Sequence, residues 1–152
     1  MKLDSIDKGI LRELQKDCKQ THKALSVKLN LSVTAIYERI RKLERSGVIK
    51  QYVALIDKDK VNLGLLVFCQ IKLSKHIQEN ITDLENEISE LEEVVECYHL
   101  SGEADYLLKV YVRDMEHFRD FMITKLTAIQ HIGNSQTSFS IHEVKNSTAL
   151  YL

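Results

Sequence analysis

Two helical patterns in this chain are separated by only three residues, Asn30-Leu31-Ser32. Thr21 can cap a short helix over 22–29, buried through Leu25 and Leu29, and Asn30 suits the left-handed residue that ends it. Ser32 caps the next helix at once, and Gly47 stops it. Ile36, Ile40 and Leu43 form that helix's apolar stripe. Upstream, Asp4 caps a supporting helix with Asp7 in its first turn, Ile6, Ile10 and Leu14 on its buried face, and Lys16 and Lys19 at its end. A helix pair joined by so short a turn, after a supporting helix, predicts a helix-turn-helix unit.

In such a unit the second helix of the pair enters the major groove of duplex DNA. Val33, Thr34, Tyr37 and Glu38 would face base edges; Arg41 and Arg45, with Lys42 at the edge, would meet phosphates. Arg41 and Arg45 lie four apart, a like-charge pair that costs a free helix a few tenths of a kcal/mol and that a polyanion would turn to advantage. Thr21, His22 and Lys23 open the second helix, where free N–H groups suit a phosphate, and Ser32 opens the third. A solvated basic face is the alternative. The charge distribution bears on that choice: residues 1–56 hold 12 Lys and Arg against 6 Asp and Glu, whereas 57–152 hold 9 against 16. A basic head of net +6 and an acidic body of net −7 lie hidden in a total of −1.

After the head the period changes. Residues 48–56, VIKQYVALI, read as a strand. Residues 65–73 form a nearly continuous apolar strand. Ile77, Ile81, Leu84, Ile88 and Leu91 predict an amphipathic helix with Glu79, Asp83, Glu87 and Glu90 outside. Residues 94–100 and 105–112 read as strands joined at Ser101-Gly102-Glu103-Ala104. Asp114 caps a helix with core face Phe118, Phe121, Met122, Leu126 and Ile129, Gly133 breaks it, and 135–144 is a last strand. The order β-α-β-β-α-β is ferredoxin-like, so the fold class is α+β. The expected domains are 1–50 for the helix-turn-helix, 51–63 for a strand linker, and 64–152 for the ferredoxin-like body. Two helices cover one sheet face; the other carries apolar residues and is expected to pack on a second copy, giving a homodimer.

The stretches LDSIDKGILRELQKD (3–17), LSVTAIYERIRKLERSGVI (31–49) and SGEADYLLKVYV (101–112), with HEVK at 142–145, resemble the Lrp/AsnC, or feast/famine, family of transcription regulators. The resemblance spans essentially the whole chain. It implies DNA-binding dimers that assemble further, often to octamers, and that sense amino acids through the C-terminal domain. The family's Gly-x-x-Asp-Tyr pattern is here Gly102, Asp105 and Tyr106. Ser101, Gly102, Glu103 and Asp105 would supply a zwitterion with backbone donors and carboxylates, and family placement adds Ser135, Gln136 and Thr137. The alternative is that Gly102 makes a turn and Asp105 satisfies its amides. The sequence departs from the family at Val33 and Ala35, where proline is common, and at Glu103, where a second aspartate often stands.

Cys18, Cys69 and Cys97 are odd in number and widely spaced, which fits a reducing cytoplasmic compartment. No apolar run is long enough for a membrane span. Histidines are scattered without zinc-site spacing, and neither a Ser-His-Asp order nor a phosphate loop is present. Neither an enzyme nor a cofactor is expected. Duplex DNA and a small amino-acid effector are the expected partners; an architectural DNA-binding protein without an effector is the competing expectation.

Overall fold

The computed structural model describes residues 2–74 and 78–152, with the side chains of 78–80 left aside. The elements run α1 (Ser5–Lys16), α2 (His22–Leu29), α3 (Val33–Arg45), β1 (Leu65–Leu73), α4 (Gln78–Ser89), β2 (Val94–His99), β3 (Tyr106–Val112), α5 (Met115–Thr124) and β4 (Ile132–Phe139). Two compact units are present. The first runs to Leu55 and takes in Val144–Leu152; the second is Ile56–Glu143.

In the first unit the expected caps form. Asp4 and Asp7 make a reciprocal capping box, the Asp7 N–H donating to Asp4 Oδ1 at 2.7 Å and the Asp4 N–H to Asp7 Oδ2 at 3.3 Å. The Thr21 and Ser32 hydroxyls each accept a backbone N–H, from Ala24 and Ala35, at 3.1 Å. Asn30 takes the left-handed conformation at φ 52°, and the Leu31 N–H returns to the Ser26 carbonyl. At the end of α3, Gly47 sits at φ 72° while its N–H donates to the Glu44 carbonyl and the Val48 N–H to that of Leu43. That double return closes the helix with its last carbonyls satisfied. Ile10, Leu11, Leu25, Ile36, Ile40 and Leu43 form the core, with Leu3, Leu14, Ile49 and Leu152 packed on it.

The second unit is a four-stranded antiparallel sheet in the order β2-β3-β1-β4. Val67, Cys69, Ile71 and Leu73 of β1 and Tyr106, Leu108, Val110 and Val112 of β3 share a core with Leu84, Ile88, Phe118, Phe121, Leu126 and Ile129. Alternation puts Phe68, Leu107 and Tyr111 on the other face, beside Lys109 and Gln70. There the Lys58 ammonium pairs with Glu143 at 2.7 Å and lies 5.0 Å from the centre of the Tyr111 ring.

Several expectations shift. Residues 48–56 form no strand: the Val48 and Ile49 amides serve the end of α3. A β-prone segment becomes a strand only when another strand meets its edge, and residues 50–56 meet none among the described residues. The last strand is Ile132–Phe139 rather than 135–144, because it lasts only while β1 stands opposite. Gly133 lies inside β4 rather than breaking a helix; a Cβ there would come within 2.9 Å of the Ser74 nitrogen. α5 ends at Thr124, and Leu126 reaches the core from a 3₁₀ turn. Residues 144–152, expected in the body, group by their contacts with the first unit. Ile77 and the side chain of Glu79 lie outside the described residues.

Candidate nucleic-acid interface and effector cluster

α3 buries one stripe and offers the rest. Ile36 and Leu43 are fully buried and Ile40 nearly so, whereas Ser32, Val33, Thr34, Tyr37, Glu38, Arg41, Lys42 and Arg45 are exposed. Among the described residues, Arg41, Lys42 and Arg45 make no intramolecular ion pair. On α2, Thr21 and Lys23 are exposed, and His22 meets Tyr37 edge-on with ring centres 5.6 Å apart. The helix starts at Thr21 and Ser32 and the free cations of α3 therefore lie on surfaces open to solvent. Each cap oxygen already accepts one helix N–H, which preorganises the starts of both helices.

A third α3 arginine behaves differently. Arg39 Nη1 donates to Asp7 Oδ1 at 2.6 Å and to Asp4 Oδ2 at 2.7 Å, and the Asp7 side chain is only 3% exposed. The Asp7 amide and the Arg39 side chain hold the Asp4 carboxyl below the usual carboxylate range. Sequence reasoning passed over this residue. The signal was present: Arg39 stands three after Ile36 and four before Leu43, beside the buried stripe, where a cation needs a carboxylate partner.

In the second unit the loop before β3 is built around Asp105. Its Oδ2 accepts the Leu73 N–H at 2.7 Å, and its own N–H donates to the Ile71 carbonyl at 2.9 Å. Ser101, Gly102 and Glu103 are exposed, and Gly102 at φ 155° holds a conformation that side chains rarely adopt. Tyr106 is instead sealed in the core. Its hydroxyl donates to Glu85 at 2.7 Å, His99 stacks on its ring at 4.7 Å, and burial followed by the Glu85 bond raises its pKa. Ser135 stands opposite Ile71, which stands opposite Tyr106, so it lies at the same end of the sheet as the loop. Thr137 pairs with Cys69, further from the loop; burial pushes that thiol up, a hydrogen bond with Thr137 opposing it. Gln136 points to the opposite sheet face from both. The loop, Tyr106 and Ser135 thus share one end of the sheet, with the Tyr106 side chain turned into the core, while Gln136 faces the other side of the sheet and Thr137 lies further along β4. Among the described residues no group of three or more His, Cys, Asp or Glu could hold a metal ion, and no helix is long and apolar enough to cross a membrane.

Comparison with known proteins accounts for both units. Residues 3–50 match the model for a winged helix-turn-helix DNA-binding domain, and residues 66–150 that for the Lrp/AsnC ligand binding domain. The leucine-responsive regulatory proteins of Escherichia coli K12 and Klebsiella pneumoniae are each 37% identical over 150 residues, 99% of this chain and 92% of theirs. An AsnC family transcriptional regulator from Agrobacterium tumefaciens superposes with a TM-score of 0.94 at 37% identity, covering 98% of this chain and 97% of its own. A Neisseria meningitidis transcriptional regulator, solved as an L-Met complex, gives 0.94 at 33% identity, covering 99% and 97%. Sequence, fold and both domain matches agree: the chain belongs to the Lrp/AsnC family of DNA-binding transcriptional regulators, with a helix-turn-helix head and a ligand-binding body.

Proposed function

We propose that α3 reads duplex DNA directly, through Val33, Thr34, Tyr37 and Glu38, while Arg41, Lys42 and Arg45 take phosphates together with Thr21, His22, Lys23 and Ser32 at the helix starts. The observation that carries this reading is the set of three exposed α3 cations that have no ion-pair partner among the described residues, on a helix whose fourth cation is held by Asp4 and Asp7. Phosphate neutralisation releases counterions, so affinity falls steeply with salt. Arg41→Ala weakens every sequence alike and lowers the salt slope by about one. Thr34→Ala and Tyr37→Phe change the preference between operator and scrambled duplex. Competition binding with both duplexes is the test; equal losses for every variant would overturn base reading by α3.

The chain acts as a cytoplasmic homodimer built on the open sheet face, which assembles further towards an octamer, and an amino-acid effector tunes its binding. Phe68, Leu107 and Tyr111 on that face support the pairing, as does segment 50–56, which pairs with no strand among the described residues and whose Tyr52, Val53, Leu55 and Ile56 are exposed. The head comprises residues 1–55 with 144–152, and the body 56–143. Backbone groups at Ser101–Glu103, with Ser135 at the same end of the sheet, receive the zwitterion, and Asp105 shapes the loop. The L-Met complex of the Neisseria regulator makes methionine the first amino acid to try. Calorimetry across the amino acids, then sizing with and without a binder, tests this. Absence of heat with every amino acid would favour the architectural reading without an effector.

A further inference from the structure

We infer that the C-terminal segment is a strap, a second tether that limits how freely the DNA-reading head swivels on the body. Three contacts fasten it to α1. The Gln15 amide is used in both directions on one residue: its Oε1 accepts the Leu150 N–H at 2.6 Å and its Nε2 donates to the Leu150 carbonyl at 3.1 Å. One turn earlier, Arg12 Nη1 donates to the Leu152 carbonyl at 3.1 Å. The Leu152 side chain packs on the head's core. A peptide unit gripped at both its donor and its acceptor has one register, so the tail is seated rather than laid loosely on the helix.

Chain topology makes the contact consequential. β4 ends at Phe139, the Ser140 N–H still bonds the Leu66 carbonyl, and Glu143 is gripped by Lys58 at 2.7 Å and by the Tyr111 hydroxyl at 3.2 Å. From that last anchor on the body to Leu150 the chain takes seven steps, a reach of at most about 25 Å. The other connection leaves the head after Tyr52, whose hydroxyl donates to Glu44 at 3.1 Å, and is next anchored at Lys58, six steps on and about 20 Å at full stretch. A head on one such connection is a tethered bead; a head on two is hinged. Two hinged heads meet two half-sites at a higher effective concentration than two free ones.

That consequence rests on the proposed dimer, so the test includes an arm that does not. Gln15→Ala with Arg12→Ala, and separately a chain ending at Asn146, are compared with the full chain on duplexes carrying one half-site or two. The strap predicts one-site affinity within about twofold of the full chain and two-site affinity lowered about tenfold or more. Independently of pairing, backbone ¹⁵N relaxation should show the head tumbling with the body in the full chain and faster than it in both variants. Unchanged relaxation in the variants would overturn the strap, as would equal loss on both duplexes with α3 amides unprotected, which would make the tail only part of the head's core. A full chain that binds one and two half-sites equally would instead overturn the dimer, leaving relaxation to decide the strap.

Discussion

Replacing Arg39 separates a positioning role from a phosphate contact. The guanidinium bridges Asp4 and Asp7, and so ties the start of α1 to the middle of α3. Arg39→Met keeps the apolar stem and removes the charge. The Asp7 carboxylate, 3% exposed, then lies buried with no cation against it. Breaking a fully buried pair costs about 3–5 kcal/mol; Arg39 is 30% exposed, and solvent screening brings the expected loss to about 2 kcal/mol. That is roughly a thirtyfold change in the folded-to-unfolded ratio, or about 10 °C in the melting temperature of a unit this small. Amide exchange at the Ile36 and Ile40 positions reads the head without interference from the body. A double-mutant cycle with Asp7→Asn isolates the pair, with a coupling of about 1–2 kcal/mol expected. At temperatures where the variant head is folded, the salt slope of DNA binding should equal that of the parent, because no phosphate contact is lost. A coupling below about 0.5 kcal/mol, or a slope lowered by about one, would refute the reasoning.

Acid should weaken the head through Glu13. Lys16 and then Lys28 hold its carboxyl down to about 2 from an ordinary 4.5, so its contribution is complete above pH 4.5 and is lost as pH falls towards 2. Denaturation series across that window, with Glu13→Gln as control, should show the parent losing stability and the variant losing less. Alkali acts through Tyr52, whose phenol is pushed up to about 12 by burial and by its bond to Glu44. The neutral form is favoured in the folded head, so that contribution is whole below pH 10 and disappears as pH rises through 12. Ultraviolet titration of the parent against Tyr52→Phe should lose a late-ionising phenol. In the body, Gly133→Ala drives a methyl to 2.9 Å from the Ser74 nitrogen and 3.0 Å from its Cα, both backbone atoms, and should cost about 1–3 kcal/mol in body stability by urea titration.

Much of the architecture could be read from the chain because it is local. Asp4, Thr21 and Ser32 bond amides three residues away. Gly47 and Asn30 adopt left-handed turns that their own chemistry allows. Spacings such as Ile36-Ile40-Leu43 and the alternation in β3 declare the buried faces without reference to any partner. Recognition of the family rested on these same local stretches. What the tertiary structure decided involves partners far apart in sequence: Asp7 with Arg39, Leu73 with Asp105, Gln15 with Leu150. Resemblance to the family counts Tyr106 with the effector loop, yet the register of β3 turns its side chain into the core against Glu85. Residues 48–56 carry strand propensity, but a strand is a property of two edges and this segment supplies one. Residues 144–152 carry hardly any periodic signal, and their place in the head follows only from where Arg12 and Gln15 stand once α1 is packed. Short-range hydrogen bonds are encoded where they form, whereas a long-range contact exists only after the chain has closed around it.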